Sequence, residues 1–136
     1  MRMRSVKMKV TRILMTVFCL SVLMALAHDT SAQDLRRLRC RTRVNPARDQ
    51  VTISVENLLA GEVVTGTITN PAGASVTSAP VPADVAGNVD IVFDSQVVAG
   101  VTPIPANFVV SGNTVSGVVN NAANGTVIVS GTAVCQ

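Results

Sequence analysis

From residue 37 onward the apolar positions of this 136-residue chain recur at every second residue. Leu38, Cys40, Thr42 and Val44 alternate with Arg37, Arg39, Arg41 and Arg43. Val51, Ile53 and Val55 alternate with Thr52, Ser54 and Glu56, and Val89, Ile91 and Phe93 with Asp90, Val92 and Asp94. Near the C-terminus Val127, Val129, Gly131, Ala133 and Cys135 share one parity. A period of two puts alternate side chains on opposite faces of an extended chain, so each run predicts a half-buried strand. No convincing 3.6-residue period occurs in this region.

Turn residues separate the runs. Ala60-Gly61, Asn70-Pro71-Ala72-Gly73, Ala86-Gly87-Asn88 and Asn124-Gly125 each fall between strand patterns. Asn124-Gly125 is the strongest signal, because both residues tolerate the positive φ of a tight hairpin. Ser95 to Phe108, with Pro103 and Pro105, is poor strand material and reads as a longer crossover. About seven strands in roughly 100 residues predict a single all-β domain, an antiparallel two-sheet sandwich with a small barrel as the alternative. Val64–Val76 also aligns with Val115–Val127 at an offset of 51 residues. Duplication accounts for this, as does repeated use of the same strand and turn residues.

The first residues follow a different pattern. Arg2, Arg4, Lys7, Lys9 and Arg12 precede an apolar run from Ile13 to Ala27, followed by the polar segment His28–Ser31. This predicts a secretory signal peptide over 1–32, cut after Ala32, with a cut after Ala27 as the alternative. The run is shorter than the ~20 residues a membrane span needs, so no transmembrane anchor is expected after cleavage. The domain is then 33–136, and the expected location is periplasmic or extracellular.

Removing the leader changes the charge. The whole chain carries +3, but both lysines and the only histidine lie before residue 33. Six arginines then face seven carboxylates, leaving −1. The basic pI belongs to the leader and gives no sign of an intracellular nucleic-acid partner.

Cys40 and Cys135 remain once Cys19 is removed, and an even pair in an exported chain predicts a disulfide linking the first and last strands. The spacing is neither that of a CxxC redox pair nor of a zinc site. With that bond formed and His28 cleaved, Ser-His-Asp and Cys-His catalysis lack their groups. A cut after Ala27 would leave His28 as an N-terminal metal ligand, without an evident second ligand. Asp90 and Asp94 share a strand face, with Asp84 before the same strand, but no calcium-loop motif accompanies them. A solvated strand face is the expectation for these carboxylates. Phe93 and Phe108 read as core, and no stacking platform for sugars or bases is expected. No cofactor, metal site or catalytic residue is predicted.

The runs Val51-Thr-Ile-Ser-Val-Glu-Asn-Leu-Leu-Ala-Gly, Val63-Val-Thr-Gly-Thr-Ile-Thr and Asn88-Val-Asp-Ile-Val-Phe-Asp give the chain a pattern that resembles small exported bacterial immunoglobulin-like or fibronectin-type sandwich domains. The resemblance implies an Ig-like sandwich over most of 38–135. It departs from antibody domains in lacking Trp and a tyrosine corner, and in placing its cysteines at the chain ends. It implies no particular activity.

The arginine run is the main candidate for a contact surface. In an extended strand Arg37, Arg39, Arg41 and Arg43 share one face, at intervals of about 6 to 7 Å, while Leu38, Cys40 and Val44 face the core. Guanidinium groups suit carboxylate, phosphate or sulfate. The expected function is therefore an exported non-catalytic binding or envelope-associated structural module, meeting an anionic envelope component or an acidic protein surface. The alternatives are an inhibitor or accessory subunit docking through the arginine strand or residues 95–108, and an edge strand charged only against aggregation.

Overall fold

The computed structural model describes residues 34–45 and 47–136. The expected signal peptide and its cleavage sites lie outside the described residues. Nine strands occur in order: β1 (Asp34–Val44), β2 (Ala47–Glu56), β3 (Val63–Thr69), β4 (Ser75–Thr77), β5 (Val81–Pro82), β6 (Val89–Asp94), β7 (Thr102–Pro103), β8 (Thr114–Asn121) and β9 (Val127–Val134). They form two sheets, β1-β2-β6-β7 and β4-β3-β8-β9, with β5 pairing to β3. No helix among the described residues is long and apolar enough to cross a membrane.

The expected count of about seven is exceeded by the two-residue strands β5 and β7. The second of these also departs from the expected antiparallel arrangement. After β6 the chain loops through 95–101 and returns in the same direction, so Phe93 and Asp94 pair in parallel with Thr102 and Pro103. Ile104, Phe108 and Val109 then enter the core, and the crossover is anchored as well as long.

Alternation builds the core. Val51, Ile53 and Val55 of β2 and Val89, Ile91 and Phe93 of β6 face Val64 and Ile68 of β3 and Val115 and Val119 of β8, all buried. Gly66 and Gly117 let the sheets interdigitate. A Cβ on Gly66 would lie 2.9 Å from Ile91 Cδ1, and one on Gly117 would lie 3.1 Å from Leu38 Cδ1 and 3.2 Å from Ile53 Cδ1. Branched side chains of the first sheet thus occupy the space that glycine leaves in the second.

The segments offset by 51 residues are two hairpins that meet at the centre of the second sheet. Thr67 pairs with its counterpart Val118, Gly66 with Val119 and Ile68 with Gly117, so the β3–β8 pair has a local two-fold relation. The turns start from counterparts but differ by one residue, since Asn70 O accepts from Gly73 N three residues on and Asn121 O from Gly125 N four residues on.

Cys40 and Cys135 are bonded, with a sequence separation of 95 and both residues buried. The bond joins edge strand β1 to the residue following β9. Gln136 N donates to Cys40 O, and Thr42 N donates to Gln136 O at 2.7 Å. One side of the two-sheet stack is therefore closed by a covalent link flanked by backbone hydrogen bonds.

Three local expectations are corrected. Val44 is 94 % exposed instead of facing the core, because it pairs with Ala47 at the hairpin tip. The parity of β9 breaks at Ile128, where Asn120 pairs with Val127 but Val119 with Val129; this bulge turns Val127 outward and lets Ile128 pack against the core. Asn124-Gly125 does not form a two-residue turn. Only Gly125 of the two has positive φ, at 71°, and the loop closes through Gly125 N to Asn121 O.

Candidate functional site

β1 is an edge strand, paired only with β2 within its sheet. The register fixes what stands beside each arginine on the outer face. Arg37 lies opposite Ser54 and then Asp90, Arg39 opposite Thr52 and Val92, and Arg41 opposite Gln50 and Asp94, while Arg43 lies opposite Arg48. Arg37, Arg39, Arg41 and Arg43 are all exposed, as their alternation with Leu38 and Cys40 requires. The structure thus places the four predicted arginines on one face.

They do not share one environment. At the end where β1 starts, a bulge between Leu35 and Arg37 frees Arg36 to pair with Glu56 at 2.6 Å. Arg36, Arg37, Ser54 and Asp90 line a shallow hollow there, and Glu56, paired with Arg36, adds a second carboxylate at this end. At the hairpin end Arg41, Arg43, Arg48 and Gln50 line a second hollow. Of the three guanidinium groups there, that of Arg48 is paired with a carboxylate, Asp94 of β6.

Asp94 is fully buried, which overturns the expectation of a solvated face for it; Asp90 on the same strand is exposed. Arg48 Nε donates to Asp94 Oδ1 and Oδ2 at 3.1 and 3.0 Å, and Arg48 Nη2 donates to Oδ2. Gln50 Nε2 and the backbone N–H of Gln96 complete the carboxylate's partners, at 3.1 and 2.9 Å. The Arg48 hydrogen bonds hold the Asp94 carboxyl below the usual aspartate range despite the opposing effect of burial, and the Gln96 N–H adds to this. The same contact raises Arg48 above its ordinary value.

Arg48 is the member that the alternating pattern left out of the predicted surface. Asn45-Pro46 is a turn signal in the sequence, the register sets Arg48 opposite Arg43, and Arg48 has the outward parity of Gln50 and Thr52. Asp49, the next residue, has the opposite parity and is 6 % exposed. Its Oδ2 has no hydrogen-bond partner among the described residues, while its backbone N–H donates to Ser95 Oγ at 2.8 Å.

Asp84 does local work. It accepts from the backbone N–H groups of Ala86 and Asn88, both at 2.8 Å, and these bonds, that from Asn88 foremost, lower its pKa. Among the described residues no group of three or more His, Cys, Asp or Glu side chains is placed to hold a metal ion.

No family model and no curated protein matches the chain. Among solved structures, Bacteroides uniformis β-glucuronidase 2 covalently bound to cyclophellitol-6-carboxylate aziridine aligns with 74 % of this chain and 12 % of its own, at 12 % identity and a TM-score of 0.39. So loose a superposition on so small a part of that enzyme has no bearing on the activity of this chain.

Proposed function

We propose that this chain is an exported, non-catalytic binding or envelope-associated structural module of Ig-like build, which meets an anionic partner through β1. The observation that carries this reading is the exposure of Arg37, Arg39, Arg41 and Arg43 on one face of an edge strand. An edge needs some charge to resist strand addition, but one or two residues suffice for that. Four arginines in alternation form a continuous cationic strip. The buried Cys40–Cys135 bond supports an oxidising compartment, since such bonds persist mainly outside the cytosol. The Ig-like assignment is supported by neighbour order, since β1-β2-β6 and β3-β8-β9 have the order of strands A-B-E and C-F-G; β7, which follows β6 and pairs with it in parallel, differs from strand D.

The test is retention on an anionic matrix over a salt gradient. Retention should weaken as salt screens the contact. Replacement of Arg37, Arg39, Arg41 and Arg43 together by Gln should abolish it; unchanged retention sinks the proposal. A second reading, an accessory subunit docking through residues 95–108, is favoured by Val97, which is 91 % exposed beside half-exposed Val98. In that case crosslinking recovers one protein partner, and Val97→Ser releases it while the arginine variants do not.

A further inference from the structure

We infer that the hollow lined by Arg41, Arg43, Arg48 and Gln50 is a site for a tetrahedral oxyanion group, a phosphate or a sulfate. This rests on the anionic-partner reading and narrows it from a strip to one end of the strip. The register puts Arg43 directly opposite Arg48 across the β1–β2 hairpin, with Arg41 one strand repeat away. Like charges directly opposite each other on a sheet oppose pairing. Asp94 is the one outward carboxylate in this group, and its position opposite Gln50 places it on the far side of Arg48 from β1. Asp49 adds a carboxylate on the inner face of the same strand. The outer face of the hollow therefore keeps an excess of positive charge that an anion would relieve.

The hollow is also partly preorganised. Arg48 is only 32 % exposed in its side chain, and its Nε and Nη2 are committed to a fully buried carboxylate. Its planar guanidinium is fixed through two nitrogens, which make three hydrogen bonds, and Nη1 makes no hydrogen bond among the described residues. Gln50 is held by the same carboxylate through Nε2. Fixing donors before binding lowers the ordering cost of a complex. Arg41 and Arg43 are exposed and free to close on the ligand, and the fork of guanidinium donors matches the edge of a phosphate or sulfate. The opposite end of the strip has a different balance, because Glu56 and Asp90 stand beside Arg36 and Arg37.

The test compares three full-chain proteins: wild type, the pair Arg41→Gln with Arg43→Gln, and the pair Arg37→Gln with Arg39→Gln. Arg48 is left intact, because its loss would strand Asp94. Titration with inorganic phosphate and with sulfate is followed by calorimetry and by thermal shift. Wild type should bind saturably, the 41/43 pair at least tenfold more weakly, and the 37/39 pair within twofold of wild type. Phosphatidic-acid vesicles and a sulfated polysaccharide then report the carrier of the group. Competition by inorganic phosphate against vesicles assigns a lipid headgroup, competition against the polymer assigns a polysaccharide, and competition against neither assigns the free ion; each requires the same loss in the 41/43 pair. Equal weakening in both pairs, or absent phosphate binding with polymer retention intact, overturns the site and leaves the strip. Absence of retention on every probe overturns both.

Discussion

Arg41, Gln50 and Asp94 form one row across the outer face of the first sheet, whereas Ser75, Thr69, Ser116 and Thr132 form a row across the outer face of the second. The next row of the second sheet is Thr77, Thr67, Val118 and Ser130, again without charge. Both sheets bury the same kind of side chain, mostly Val and Ile, on their inner faces. The inner faces therefore determine the stack, and the outer faces are free to differ. On the first sheet charge is concentrated and partly unbalanced, so its stability and contacts should respond to pH, salt and anions. On the second, hydroxyl groups satisfy one another locally, as in Thr67 Oγ1 to Thr77 Oγ1 at 2.8 Å and Thr69 Oγ1 to Ser75 Oγ at 2.7 Å.

The largest expected effect comes from cutting the link between the two sheets. Replacing Cys40 and Cys135 by Ser should cost about 2 to 5 kcal/mol, the usual loss for a native bond in a small domain. Urea denaturation measures it. A loss below about 1 kcal/mol would mean that the backbone bonds between Thr42, Cys40 and Gln136 hold this side without the covalent link. Next is the interface between the sheets. Gly66→Val should cost about 1 to 3 kcal/mol through overpacking against Ile91 and Ile53. That loss should be the same at low and high salt, because it touches neither outer face.

The alternation of Leu38 and Cys40 with arginine made the outward strip legible, and the lone pair of cysteines made its tether legible, because both depend on local spacing or simple counting. The fate of Asp94 was not legible in the same way. Its partner Arg48 is 46 residues distant, and the contact exists only because β2 lies between β1 and β6 with Gln50 opposite Asp94. Strand parity placed Asp90 and Asp94 together, but exposure depends on the neighbouring strand and on the 95–101 loop that covers one end. Val44 shows the converse. Its parity is inward, but the hairpin carries it to the end of the strand, where parity no longer implies burial.

The acid response separates the two outer faces more gently. Asp94 is held below its usual pKa by Arg48, so its stabilising contribution is full above the unfolded value of about 4 and is lost as pH falls through the lower folded value. Asp84 contributes in the same direction. Thermal unfolding between pH 7 and pH 2 should therefore show a falling Tm at the acid end. Asp84→Asn should remove part of that slope, and Asp94→Asn in the same background should remove more. An unchanged slope in the double variant would place the acid response on other carboxylates.

The smallest effect is expected on the neutral face, and it tests whether the faces are independent. Thr67→Val keeps the β-branched shape that suits a strand and removes the hydroxyl that meets Thr77. Because the pair is exposed, water can replace the lost partner, and the expected cost is about 0.2 to 1 kcal/mol. It should be the same at pH 3 and pH 7, and the same with or without phosphate, because no charged side chain lies in this row. A pH- or phosphate-dependent cost would mean that the second sheet senses the ions of the first through Gly66 and Gly117, where branched side chains of the first sheet pack close against the second. A constant small cost would leave charge, and with it recognition, to the face of β1, β2 and β6.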